Sequence, residues 1–238
     1  MDILFGSTDG WYFLLRWLHF LAGITWIGML YYFNFVQTPY FKTADAAVRG
    51  GMIRNVVPTA LWWFRWGAMF TFLSGWAIVG IKHGVDGNAW NSPYMTLILT
   101  GGLLGTLMWF NVWFVIWPAQ KVVIASAEQV AAGGEAIAGA AERGAGAGMA
   151  SRTNTLFSIP MLFFMGAASH LSQLAQTDQV GSYWIAAVIV ILLFEVNGVI
   201  GAGKPSQKML TSVSGTISAG FALTIILFLL TQSFLAAS

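Results

Sequence analysis

The 238-residue chain contains no cysteine. That excludes disulfides, thiolate metal sites, iron–sulfur clusters and a haem attached through Cys-x-x-Cys-His. Charge is nearly as scarce, with 8% of residues Asp, Glu, Lys or Arg against roughly a quarter in a soluble domain. A net charge of +2, scattered along the chain, leaves no basic footprint for nucleic acid. Three histidines are present, so at most one centre can carry two imidazole ligands. Met1 to Gly10 holds two aspartates and no basic residue, the reverse of a signal peptide, so no cleaved leader is expected.

What fills the chain is apolar: 57% of the residues are hydrophobic. Six runs are long enough to cross a hydrocarbon core of roughly 30 Å at about 1.5 Å per residue. They are Trp11–Val36, Thr59–Ile81, Met95–Trp117, Thr153–Gln173, Ser182–Ile200 and Leu210–Ala236. Pro160 interrupts the fourth, which is tolerable where a neighbour satisfies the freed carbonyl. The fold expected is an all-α, multi-pass helical bundle, one transmembrane domain over residues 1–238. Lys42, Arg49, Arg54, Lys121, Arg143, Arg152, Lys204 and Lys208 fall in loops on one side, and only Lys82 on the other. The positive-inside rule then places both termini outside, in the periplasm if the membrane is a bacterial inner membrane.

The segment 118–152 is rich in Ala and Gly, with Glu128, Glu135 and Glu142 seven apart, and reads as a broken surface helix. Small residues at helical spacing (Gly101, Gly102 and Gly105; Ser214, Gly215, Ser218 and Ala219) read as close helix contacts. No internal repeat is evident.

Arg16 and His19, three apart in the first span, share one helix face. Ionisable groups inside a span are costly and mark sites. By the topology above, His19 lies about 12 Å below its span's outer end, and His170 lies near the outer end of the fourth. Gly23 follows His19 by four residues and Gly166 precedes His170 by four, leaving room for a porphyrin against either helix. The expected cofactor is therefore a non-covalent b-type haem between His19 and His170, with Arg16 pairing a propionate. Met161 and Met165 are the alternative axial ligands. Ser169 or Thr25 would support an imidazole, and His83, in a loop, is expected to be solvated.

A second polar group, Arg65, Glu195, Asn197, Asn34 and Asn111, gathers in the inner half. It reads either as a buried Arg65–Glu195 ion pair or as an anion pocket. In the pocket reading Arg65 binds the substrate and Glu195 accepts protons, and Trp62, Trp63, Trp66, Trp109 and Trp113 wall a planar ring.

Arg16 to Gln37 (RWLHFLAGITWIGMLYYFNFVQ), Asn55 to Phe72 (NVVPTALWWFRWGAMFTF), Met108 to Lys121 (MWFNVWFVIWPAQK) and Ala150 to His170 (ASRTNTLFSIPMLFFMGAASH) resemble the membrane domain of bacterial PuuD-type urate oxidases. The Leu18-His19 and Trp26-Ile27-Gly28 pattern is also similar, more distantly, to HemJ-type protoporphyrinogen oxidases and CopD-like membrane proteins. The resemblance implies oxidation of urate, with electrons passed outward through a C-terminal cytochrome c domain. This chain ends at Ser238 without Cys-x-x-Cys-His, so a separate cytochrome c or another periplasmic acceptor is expected. The competing expectation is a non-catalytic haem- or pigment-binding subunit of a larger membrane complex. A transporter is a third, resting only on Arg65 and Glu195.

Overall fold

In the computed structural model, which describes residues 2–171, 174 and 178–236, the chain is a bundle of long helices with no strand among the described residues. After a single turn, α1 (Asp2–Phe5), come α2 (Thr8–Tyr31), a π-helical turn (Tyr32–Gln37) and α3 (Thr38–Thr43). These three run on as one helix, Thr8–Thr43. A short α4 (Ala46–Asn55) leads into α5 (Val57–Gly84). Next, α6 (Pro93–Phe110), a second π-helical turn (Asn111–Ile116) and α7 (Trp117–Ala131) form another unbroken helix, Pro93–Ala131. The chain finishes with α8 (Ala140–His170), α9 (Val180–Val199), a 3₁₀ segment (Pro205–Thr211) and α10 (Val213–Leu235).

Among the described residues, five helices are long and apolar enough to cross a membrane: Thr8–Thr43, α5, Pro93–Ala131, α9 and α10. The expected fourth span falls in α8, which lacks that apolarity for a physical reason. It is the central helix, packed against α6, α7, α9 and α10, and its middle, Thr153 to Ser158, is buried throughout. A helix that faces protein can carry Thr, Asn and Ser where a lipid-facing one cannot. The outer end expected for that span, Ser172 and Gln173, lies outside the described residues. The segment 118–152, expected as a broken surface helix, is helical to Ala131 and again from Ala140, and its two arms are the end of the long Pro93–Ala131 helix and the start of α8.

Pro160 sits inside α8 and cannot donate to Leu156 O. Gly220 of α10 lies against that carbonyl, and a Cβ there would stand 2.9 Å from it and 3.2 Å from Ile159 Cβ. The buried stripe of α10 is Thr216, Gly220, Leu223 and Leu227, whereas Ser214 and Ser218, expected at a helix contact, are exposed. Gly220→Val should lower stability by about 1–3 kcal/mol through overpacking, read as a lower thermal midpoint in detergent.

Both long helices use the same device. Asn34 lies in the first π-helical turn and Asn111 opens the second, each preceded by Phe, and Pro39 and Pro118 follow the turns. Each proline leaves a carbonyl without its helical donor, and the widened turn absorbs the mismatch. Each asparagine then reaches α8: Asn34 Nδ2 donates to Ser151 Oγ (2.8 Å) and Asn111 Nδ2 to Asn154 Oδ1 (2.9 Å).

Two hairpins dominate the packing, α2 with α5 and α6 with α8. Gly67 brings α5 against the α2 backbone, where a Cβ would be 3.1 Å from Trp26 N. Gly101 does the same for α6, 3.1 Å from Met161 O. The hairpins are joined by the Phe72–Trp109 stack (centroids 4.2 Å apart), by Tyr31 Oη–H donating to Ser158 Oγ (2.9 Å) and by Asn34. Toward the N-terminal half of α2 they diverge.

Candidate cofactor cavity between two helix hairpins

The divergence leaves a cavity of about 440 Å³ lined by α2, α5, α6 and α8. Its wall is mostly apolar, with a few polar groups converging on it, as cofactor sites are built. Gly23, Gly102 and Gly105 line it and keep the wall flat. Gly102, expected at a helix contact, has no atom within 4 Å of its Cβ position.

His19 lines this cavity, with Nδ1 3.1 Å from Ser74 Oγ. Ser74 Oγ is also 2.6 Å from Phe70 O and 3.2 Å from Thr71 O. With its proton given to either carbonyl, Ser74 Oγ accepts from His19 Nδ1–H, and in that tautomer Nε2 keeps a lone pair for a metal. Gly75 makes the space for the ring: a Cβ there would be 3.0 Å from His19 Cε1. Neither Ser74 nor Gly75 was expected at the site, and Thr25 instead donates to Leu21 O (3.0 Å). The sequence signal was a Ser-Gly pair inside an otherwise apolar span.

At the same end Arg16 lines the cavity and is exposed. Its guanidinium carbon is 5.5 Å from the Tyr12 ring and 5.9 Å from that of Phe20. Lys82 Nζ lies 4.3 Å from the Tyr12 ring and pairs with Asp86 at 2.5 Å. Arg16 has no acidic partner among the described residues, which leaves it able to meet an anionic group at the rim.

From α8 the cavity receives Met161, Met165 and Ser169, four apart and therefore on one stripe. His170 is one residue beyond that stripe, about 100° further round the helix. It is not among the lining residues and is exposed, and its Nδ1 hydrogen-bonds to Gly166 O at 2.8 Å. Gly166 does not line the cavity either. The expected His19/His170 pair is thus not brought to one cavity, and the α8 side offers two thioethers and the Ser169 hydroxyl in place of an imidazole. His83, expected to be solvated, hydrogen-bonds Asn88 O at 2.8 Å and lies on Trp90 with centroids 4.0 Å apart. Among the described residues, no group of three or more His, Asp or Glu side chains converges.

The second expected cluster separates. Arg65 lies over Trp117 (3.9 Å to the centroid) and Trp113 (5.2 Å). Glu195, 7% exposed, accepts from Asn111 Nδ2 at 3.1 Å, and Asn154 Nδ2 donates to Met108 O at 2.9 Å. Lys82–Asp86 is the only ion pair among the described residues, so Arg65 and Glu195 do not neutralise each other. Asn197 accepts from Ser206 Oγ (2.5 Å) and holds the 3₁₀ segment. Trp66 packs edge-on to Trp113 and Trp109 stacks on Phe72, while Trp62 and Trp63 are exposed. These rings fill space against their neighbours and do not wall a common pocket.

The family model "Urate oxidase N-terminal" matches residues 87–232, from the turn before α6 to the last turn of α10. The chain belongs to the urate oxidase N-terminal family. No curated protein and no solved structure matches it. The family match covers the α6–α8 hairpin, with Met161, Met165 and Ser169, and the α9–α10 pair behind it. The α2–α5 hairpin, with His19 and Ser74, lies before the matched residues.

Proposed function

We propose that this member of the urate oxidase N-terminal family is a membrane-embedded oxidoreductase that holds a b-type haem in the cavity between the two hairpins. The observation carrying this reading is His19 Nε2, a free lone pair on an imidazole oriented by Ser74 at the wall of a flat, apolar cavity. Met161 or Met165 would supply sulfur on the α8 side, and Arg16 would pair with a propionate. When bound, haem supplies reversible one-electron chemistry.

Family membership makes urate the reduced substrate to test first. The end of the bundle carrying Lys42, Arg49, Arg54, Lys121, Arg143, Arg152, Lys204 and Lys208 would face the cytoplasm. His19 then lies toward the periplasm, where a cytochrome c-type acceptor would collect the electrons. In this reading six helices span a bacterial inner membrane, α8 being the internal one, and both termini are periplasmic.

A reduced-minus-oxidised spectrum of the purified protein tests the cofactor. Reduction of that haem on adding urate then separates an oxidoreductase from a carrier subunit. Ser74→Ala removes the acceptor that orients His19 and should weaken haem binding about 10–100-fold. Titration of haem into the apoprotein measures this, and Ser74→Thr should restore part of the loss.

A further inference from the structure

At the opposite end of the bundle from the cavity mouth, Arg65, Trp117 and Lys121 form a basic cluster with no described acidic partner. The 28 residues of α5 span about 42 Å at 1.5 Å per residue, more than the roughly 30 Å of hydrocarbon. Its ends therefore reach the headgroup layers, and Arg65, about 12 Å in from Val57, can extend its guanidinium back toward them. There it meets the Trp117 ring at 3.9 Å, with Lys121 Nζ 5.7 Å from the same ring.

Arg65 donates no hydrogen bond to any described residue, and its Nε is buried without a partner, as is Trp113 Nε1. Glu195, the carboxylate expected to pair with Arg65, is held by Asn111 instead. Exposed Trp62 and Trp63 flank the cluster on α5, with rings suited to the membrane interface. A guanidinium at that depth without a counter-charge is unfavourable. What completes it must bring negative charge and several acceptor oxygens, and must arrive from the bilayer.

We propose that Arg65, Lys121 and the Trp117 ring between them hold the phosphate of an anionic phospholipid. The phosphate takes charge-assisted hydrogen bonds from the guanidinium and the ammonium, and the acyl chains lie along Trp62 and Trp63. This assignment is independent of what occupies the cavity.

Native mass spectrometry of the detergent-purified protein tests it, with phosphatidylglycerol and phosphatidylcholine of identical acyl chains as probes. Phosphatidylglycerol should be retained about tenfold more tightly. The preference should vanish in Arg65→Gln and shrink about threefold in Lys121→Gln, an exposed ion pair being weaker. Equal retention of the two lipids by the unaltered protein overturns the proposal without any variant. An unchanged preference in both variants also overturns it, and Trp117→Leu replaces Arg65→Gln if that variant does not fold. A thermal midpoint raised as much by inorganic phosphate as by phosphatidylglycerol assigns the site to a soluble anion instead, and overturns it too.

Discussion

His19→Ala should yield a folded bundle with no haem, while His170→Ala should keep a full complement. The two imidazoles look alike in the sequence, each in a helix with a glycine four residues away, so the contrast is a sharp test. His19 lines the cavity and is oriented by Ser74. His170 is exposed and spends Nδ1 on its own helix at Gly166 O. Alanine at position 19 removes the only lining imidazole, and a remaining thioether alone is a poor anchor for haem. Little stability should be lost, because His19 is half-buried and its contact with Ser74 is to a serine that also bonds backbone. Pyridine haemochrome quantitation per protein reads both variants. Haem retained in His19→Ala, or lost in a well-folded His170→Ala, would transfer the ligand to the other helix and end the present assignment.

The Met161→Leu and Met165→Leu variants complete that comparison: if haem is held as proposed and one thioether serves it, the spectrum should change in one of the two variants and not in the other.

The helices themselves were legible because apolar runs of more than about 18 residues have few alternatives. The first three expected spans fall within long apolar helices, the fifth overruns α9 by Ile200 alone, and the sixth overruns α10 at both ends, starting in the 3₁₀ segment. The fourth was hard to read because α8 is the helix the others surround, and hydropathy reports lipid contact, not burial in protein. His19 at a cavity wall followed from the cost of an ionisable group in a span. Its support by Ser74 did not, because that depends on the rotation of α5 against α2, set by Gly67 packing on Trp26. The same blindness to rotation separates His170 from the Met161–Met165–Ser169 stripe by a single residue. The paired π-helical turns were hard to read as a repeat, since they share Phe-Val-x-x-Pro in register (Phe35 to Pro39, Phe114 to Pro118) but their Phe-Asn pairs stand two residues out of it.

The buried amide network is the second place where a large effect is expected. Asn111 is fully buried and donates to both Asn154 Oδ1 and Glu195 Oε2, tying α6 to α8 and to α9. Its own Oδ1 is buried without a partner, so the network already carries one unmet acceptor. Asn111→Leu removes that acceptor but leaves Asn154 Oδ1 and the Glu195 carboxyl without their donor, and should lower stability by about 3 kcal/mol. Removing the second partner is the informative step. In Asn111→Leu with Glu195→Leu the orphaned carboxyl is gone, and about 1–2 kcal/mol should return, because deleting both ends of a buried polar contact is nearly neutral where deleting one is not. Unfolding in mixed micelles measures Asn111→Leu, Glu195→Leu and the double variant. Strictly additive losses would mean that Glu195 does not depend on Asn111 and has its partner elsewhere. Met108, whose carbonyl accepts from Asn154, lies one helical turn from Gly105 at the cavity wall. The network thus sits beneath the cavity, fastening its floor, and haem content in these variants should fall only in step with the folded fraction.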